Sequence, residues 1–476
     1  VTRGLRDVLF EENEMKRAVF AFVAIGLFAA ARGARAGDFD LPVEEKTLEN
    51  GMKVLVLPDH SIPNCALYVW WRVGSRNERL GATGVAHFFE HMMFRGGAKY
   101  GKTFDVTMEG AGGSNNAFTE RDVTVYQDWF PKAALPLILD IEKDRMSGMV
   151  FDPADVKAER EVVSSEWRSD YEDPSELVDE QLWATAYKEH PYHWSVLGWW
   201  NDVANWKQSD LEEFYARNYA PNNATVVLVG DVDAADALKT IESALGKIPR
   251  KPDREPGHNQ ERPQDGERRA VLESSIAPAP EVRAAWHICK TDDPAFPTFE
   301  VIEALLLHGD SSILQQLLVE KEQVCQTVSG GWQGHQFDPS LFTVDTVLVE
   351  GGDPAKVEAL VYGVLEKLAK DGPDAKALTK AKNGLVADFV RRMRTINDKA
   401  SLVGETETFF GGWRGISARV ERIKQVKAED VKALVAKTFT QKNRTVVTLV
   451  PVGGGKSTKE KDDDDEKDDD GKKESK

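Results

Sequence analysis

Cysteine is scarce in this chain: Cys65, Cys289 and Cys325 are the only three in 476 residues. So few and so scattered, they exclude a disulfide framework, leave room for one bridge at most, and show no metal-ligand spacing. Apolar residues surround each of them, which predicts core positions. Positive charge is also in short supply. Lys and Arg number 61 against 79 Asp and Glu, a formal charge of −18. That argues against nucleic acid and against an anionic membrane surface as partners, and it favours basic peptides. A long hydrophobic run suited to stable membrane insertion is missing too. The stretch Ala18 to Ala31 falls short of the roughly 20 residues a spanning helix needs.

That stretch follows Met15-Lys-Arg and precedes Ala34-Arg-Ala36. A basic start, an apolar core and a small-x-small site predict a removable secretory signal ending near Ala36, and hence a periplasmic or secreted protein. No Cys follows it, so a lipid anchor is not expected. Val1 to Glu14, charged and ahead of Met15, read as an over-extended start, which makes 1–36 upstream extension plus signal. At the other end, 453–476 turns Gly-rich and then acidic, with Asp462 to Asp465 and Asp468 to Asp470. Such a run repels itself and is expected to remain a disordered, solvated tail.

Between these ends, the length allows roughly two to four domains and the hydrophobic content of 41% suffices for real cores. The sequence repeats. Asp210 to Val229 aligns without a gap on Asp430 to Leu449, a constant offset of 220, and each copy reads as an amphipathic helix, a turn and a strand rich in β-branched residues. A period of that length means duplicated domains rather than a solenoid. Pro249 to Arg269, rich in Pro, Gly and charge, reads as the linker. The expected domains are thus 40–248 and 270–452. Mixed strands and helices without regular βαβ alternation give an α+β sandwich in each.

Chemistry concentrates in the run Gly84-Val-Ala-His-Phe-Phe-Glu-His-Met-Met-Phe-Arg-Gly96. On a helix, His87 and His91 lie on one face one turn apart, so both imidazoles can reach one metal ion. Glu90 sits beside that ion, placed to take a proton from water. This is the H-x-x-E-H order of a zinc hydrolase. Its apolar flanks set it on a helix packed into a core, where an unpaired polar group is costly. Catalytic zinc takes three protein ligands, and a third is at hand in Ala158 to Trp167. Glu159 and Glu166 are two helical turns apart and share a face, with Val162 and Val163 nearby, while Glu161 falls about 200° round the helix and points to solvent. One of the pair can ligate while the other stands behind.

These two helices, with Asn116-Ala-Phe-Thr-Glu-Arg-Asp-Val-Thr-Val-Tyr126 between them, resemble the pitrilysin-like zinc metallopeptidases, in particular the subfamily of the mitochondrial processing peptidase and its bacterial relatives. The resemblance runs from about Glu44 to Val452. It implies one Zn2+ per chain on His87, His91 and Glu166, with Glu90 as the general base at the zinc-bound water and Glu159 as an outer carboxylate. It also implies two homologous α+β sandwich domains forming half of a clam-like chamber that admits unfolded peptides. The substrate would pair as an added strand along Gly113 to Thr119, through Asn116, Ala117 and Phe118.

By the offset of 220, Glu159 falls on Thr379 and Glu166 on Val386, so the second half has lost both carboxylates. It also lacks the Arg and Tyr that active relatives carry, with Val319 and Gln326 standing in their places. A related subunit supplying that pair is the expected partner, as a heterodimer or else a homodimer. The competing reading is a non-catalytic assembly or peptide-binding protein of the same fold. The aromatic cluster from Tyr192 to Trp206 reads as domain packing. His190 and His193 are left out of the site because Pro191 opposes a helix between them.

Overall fold

The apolar runs Asn64–Trp71 and Ala224–Gly230 show little of the polar alternation of a one-sided sheet, because both faces of their sheet are covered. The computed structural model describes residues 39, 41–95, 97–254, 257 and 259–452. The expected signal segment and the acidic tail lie outside these residues. Eleven strands among them form two sheets. β1 (Glu44–Thr47), β2 (Lys53–Pro58), β3 (Asn64–Trp71), β4 (Ser114–Thr119), β5 (Thr124–Pro131) and β6 (Ala224–Gly230) assemble in the order β1-β2-β6-β3-β5-β4. β7 (Arg268–Ser274), β8 (Glu281–His287), β9 (Cys325–Trp332), β10 (Leu341–Leu348) and β11 (Arg444–Pro451) assemble in the order β7-β11-β8-β10-β9. Strip β1 from the first and the two orders coincide. In each, the last strand in sequence enters between earlier ones, parallel to one neighbour and antiparallel to the other. The stretch 249–267 holds neither helix nor strand among its described residues, and Arg268 and Arg269 already belong to β7.

Seven helices matter for the site and for the joining of the halves: α1 (Val85–Met93), α2 (Pro153–Tyr171), α3 (Pro174–Ala186), α4 (Gln208–Asn218), α5 (Ala375–Arg391), α6 (Ile396–Phe409) and α7 (Ala428–Thr438). One face of the first sheet packs Cys65, Leu67, Val69 and Trp71 of β3 against Phe88, Phe89 and Met92 of α1. Its opposite face packs Ala66, Tyr68 and Trp70 against Ala400, Leu402 and Val403 of α6, a helix from the other end of the chain. The exchange is mutual. α3, from the first half, lays Val178, Leu182 and Trp183 on Ala285, Val447 and Leu449 of the second sheet. Each sheet therefore borrows a helix from the other half. A Cβ at Gly404 would sit 2.0 Å from the Trp70 indole nitrogen, so only glycine lets α6 come this close. All three cysteines are unpaired. Burial pushes their thiols up, to about 11 for Cys65 and Cys325 and about 12 for Cys289.

Candidate metal centre

α1 begins at Gly84, whose φ of +79° suits glycine, and where a Cβ would meet the Leu197 carbonyl oxygen at 2.2 Å. No side chain of this residue can cap the helix. Glu78 does so from outside: its carboxylate accepts the N–H of Gly84 at 2.9 Å and of Ala86 at 2.8 Å, with the Trp194 indole N–H at 3.0 Å. Negative charge suits a helix N-terminus, yet burial still pushes this carboxyl well above its ordinary range. Val85, Ala86, Phe88, Phe89, Met92 and Met93 are buried, and their anchoring leaves His87, Glu90 and His91 half-buried along one face.

α2 runs alongside. Asp152 caps it by accepting the N–H of Ala154 at 2.8 Å, and Pro153 occupies the first turn. Val163 is buried and Glu159 is only 5% exposed, whereas Val162, expected on the shared face, is turned out to solvent. Glu161 is exposed as expected.

The three expected ligands converge. His87 Nε2 and His91 Nε2 lie 3.3 Å apart, and Glu166 Oε2 is 3.4 Å from His91 Nε2 and 3.8 Å from His87 Nε2. Two donors at about 2.0–2.1 Å from a tetrahedral zinc stand about 3.3 Å apart, so the spacing fits the ion. Among the described residues this is the one cluster of three His, Cys, Asp or Glu side chains close enough to share an ion. Burial and the neighbouring His91 push His87 down to about 3. It therefore stays neutral with a lone pair available.

Behind the cluster, Glu159 Oε1 meets His91 Nδ1 at 2.8 Å, and Glu159 Oε2 accepts from Arg95 Nε at 2.7 Å. The hydrogen bond to His91, with Arg95 behind it, holds the Glu159 carboxyl below its ordinary range. Burial alone would lower His91, but that bond and the carboxylates of Glu166 and Glu90 raise it above its usual value. His87 Nδ1 is buried and finds no hydrogen-bond partner among the described residues. Burial lifts Glu90 above its ordinary value, opposed by the Thr119 hydroxyl, which donates to Glu90 Oε2 at 2.6 Å.

β4 is the terminal strand of the first sheet, paired with β5 along Ser114↔Trp129 to Thr119↔Thr124. Asn116 is exposed and Ala117 and Phe118 are half-buried. Side chains alternate across a strand, and here the alternation separates two roles. Ala117 and Thr119 face α1, while Phe118 packs edge-on to Trp70, 6.3 Å away on the face that α6 covers. Asn116 shares the Phe118 face. Two residues missed from sequence, Glu78 and Thr119, thus frame the cluster. Thr119 lay inside the Asn116 to Tyr126 motif, whereas nothing local marked Glu78, six residues ahead of the helix it caps.

His190 and His193 are spent on structure. His190 Nε2 lies 3.2 Å from Asp338 Oδ2, and His193 Nδ1 lies 2.7 Å from the Tyr187 carbonyl. In the second half, Thr379 hydrogen-bonds its own helix at Ala375 O and Val386 packs against the core that the first sheet shares with α6. Val319 packs on the second core, and Gln326 turns back to donate to Leu348 O at 2.8 Å.

Comparison with known proteins agrees with this architecture. Residues 53–198 match the insulinase family, peptidase family M16, and residues 205–385 match the peptidase M16 inactive domain. The chain is 30% identical over 433 residues to the zinc protease PqqE of Helicobacter pylori, covering 86% of this chain and 93% of that one. It is 33% identical over 231 residues to the probable zinc protease PqqL of Escherichia coli, covering 44% of this chain and 24% of the relative. In structure it is similar to a protease from Helicobacter pylori, at a TM-score of 0.82 and 27% identity, over 87% of this chain and all of that one. It also follows the fold of the periplasmic protease PqqL from Escherichia coli, at a TM-score of 0.73 and 19% identity, over 86% of this chain and 48% of that one. The chain belongs to peptidase family M16, the pitrilysin-like family, in the mixed α and β two-domain fold of that family's half-chambers.

Proposed function

We propose that the chain is a zinc-dependent endopeptidase subunit that hydrolyses unfolded peptides, with 40–248 as its catalytic domain, 249–267 as linker (the expected 249–269 cut back by the start of β7) and 268–452 as a second domain without a metal site. The observation that carries this is the convergence of His87 Nε2, His91 Nε2 and Glu166 Oε2 within 3.3–3.8 Å of one another, with Glu90 on the same helix face. Zinc bound there supplies a Lewis acid that polarises the scissile carbonyl and acidifies water. Glu90 acts as the general base, takes the proton of the attacking water and returns it to the leaving amine. Glu159 fixes His91 through Nδ1, which leaves Nε2 as the ligating atom. The exposed edge of β4, through Asn116, Ala117 and Phe118, pairs with the substrate backbone.

A cavity of about 190 Å3 opens beside Trp167, the residue after Glu166 on α2, and its charged lining is Asp170, Glu176, Asp179 and Glu180 with one cation, Arg121. Four carboxylates against one guanidinium favour substrates with basic side chains. Because Val319 and Gln326 supply neither a cation nor a phenol, a related subunit is assigned the Arg and Tyr and completes the chamber, as a heterodimer or a homodimer. A relative described as periplasmic supports a periplasmic location, and no helix among the described residues is long and apolar enough to cross a membrane.

A second reading, a non-catalytic peptide-binding or assembly protein, draws support from those same two positions. Zinc content and cleavage of an unstructured peptide, measured for the chain alone and with a related subunit, separate the two. About one zinc per chain with cleavage under either condition supports the peptidase. Stoichiometric zinc without cleavage under both supports the binding protein.

A further inference from the structure

We propose that Thr119 is the positioning residue for Glu90, and that the metal-free half of the chain holds it in place by clamping the β4–β5 turn through Asp122; this rests on Glu90 being the base. A carboxylate that moves a proton must keep its orientation through the reaction, since a misplacement of about 1 Å can cost about 100-fold in rate. Thr119 supplies that orientation. Its hydroxyl donates to Glu90 Oε2 at 2.6 Å, while that of Thr124 across the strand pair donates to the Val73 carbonyl at 2.9 Å. The two hydroxyl oxygens are 3.5 Å apart. Thr119 also ends β4, the strand proposed to take the peptide. Base and substrate would then be referenced to one element, and their spacing would not depend on how helix and sheet slide past each other.

The turn itself is tied to the second half. Glu120 N–H donates to Val123 O at 2.8 Å to close it. Asp122, 1% exposed, accepts from Arg76 Nη1 at 2.8 Å, from the Tyr192 hydroxyl at 2.5 Å and from the Phe337 N–H at 3.0 Å. The next residue, Asp338, takes the other Arg76 nitrogen and lies 3.2 Å from His190 Nε2. A buried carboxylate persists only where donors surround it. The loop between β9 and β10 is therefore fastened to the hairpin that holds the base, and a domain without metal ligands acts on the chemistry.

The test compares Thr119→Val, Thr119→Ser and Asp338→Ala in the full chain, with a second subunit present if turnover requires it. Thr119→Val is expected to lower kcat ~10–100-fold, leave KM within ~2-fold and keep about one zinc per chain. Thr119→Ser, which keeps the hydroxyl, restores kcat to within ~3-fold, and Asp338→Ala lowers it ~3–10-fold. Wild-type kcat in Thr119→Val, or no rescue by Thr119→Ser, overturns the positioning role. Unchanged kcat in Asp338→Ala overturns the clamp. Crystal structures of the zinc-loaded Thr119 variants need no turnover: the Glu90 carboxylate is expected to swing away in the valine form and stay in the serine form, and an unmoved carboxylate in both overturns the proposal. Full activity of Glu90→Gln would instead sink the peptidase mechanism itself and leave the Thr119 hydrogen bond standing.

Discussion

α4 in the first half corresponds to α7 in the second at both ends, and β6 begins where β11 does, each shifted by 220 residues; β11 runs one residue further. The matching reaches single hydrogen bonds. Asp210 accepts the Lys207 N–H at 2.8 Å, and Asp430 the Lys427 N–H at 2.8 Å. Asn223 donates to Asn218 O at 2.9 Å, and Asn443 to Thr438 O at 3.0 Å. Against this sameness, the carboxylates of Glu159 and Glu166 on α2 are replaced by a hydroxyl and an isopropyl side chain, Thr379 and Val386, at the shifted positions on α5. Caps, turns and strands carry the fold and are present twice. The proposed metal ligands are few side chains on half-buried helix faces, which a domain can lose without losing its core. What keeps the second half indispensable is the exchange of α3 and α6, since neither sheet can cover both its faces alone.

The asymmetry is sharpest at Glu90. Glu90→Gln keeps the shape and removes the proposed base, so turnover should fall ~10²–10⁴-fold with zinc still near one per chain. His91→Ala should lose the metal as well, while Val386→Ala in the second half should leave zinc content unchanged. Parallel metal analysis and peptide-cleavage rates check all three. Comparable losses from both halves would break the contrast.

The exchange of helices makes the opposite prediction, that stability is shared although the proposed metal ligands are not. Leu402 of α6 and Leu182 of α3 are both fully buried, each against the other half's sheet. Leu→Ala at either should cost about 2–5 kcal/mol. Both should shift one common unfolding transition, followed by denaturant titration with far- and near-ultraviolet circular dichroism. Two separable transitions, each responding to one mutation, would show halves that fold independently.

Much of this was legible in the sequence wherever the signal is local. The helical spacing of His87, Glu90 and His91 and the two-turn spacing of Glu159 and Glu166 put the cluster together, and the offset of 220 exposed the duplication. Long-range packing left no such mark. Nothing near Gly404 announces that its helix leaves its own half to lie on Trp70, because the covered face of β3 reads only as apolar. Glu78 caps a helix six residues away through a loop, and no period encodes that. Val162 went wrong for a related reason: 3.6 residues per turn separates it from Val163 by about 100°, enough to place one in the core and the other in water.

Smaller effects sharpen the comparison further. Glu159→Gln should weaken zinc binding ~10–100-fold, since the outer partner of a ligating His orients it and raises its basicity. Thr379→Val, at the shifted position, should change it not at all. Competition with a metal chelator measures both. Equal affinities for Glu159→Gln and wild type would remove Glu159 from the metal centre.

The smallest effect concerns how α6 is fastened to the first half. Lys399 Nζ lies 2.5 Å from Asp59 Oδ2. Burial would raise the Asp59 carboxyl, but the hydrogen bonds from Lys399 and Ser61 outweigh it and lower it from 3.8 to about 2. A carboxylate depressed on folding contributes stability above its unfolded value, and that contribution is lost as pH falls through the folded one. Lys399→Met should therefore cost less than about 1 kcal/mol at neutral pH. The gap from wild type should hold constant down to about pH 4 and close between about pH 4 and pH 2. Urea midpoints across that range decide the matter. A gap that stays open below pH 2 would mean that Lys399 acts through the packing of its stem rather than through the charge that ties the two halves together.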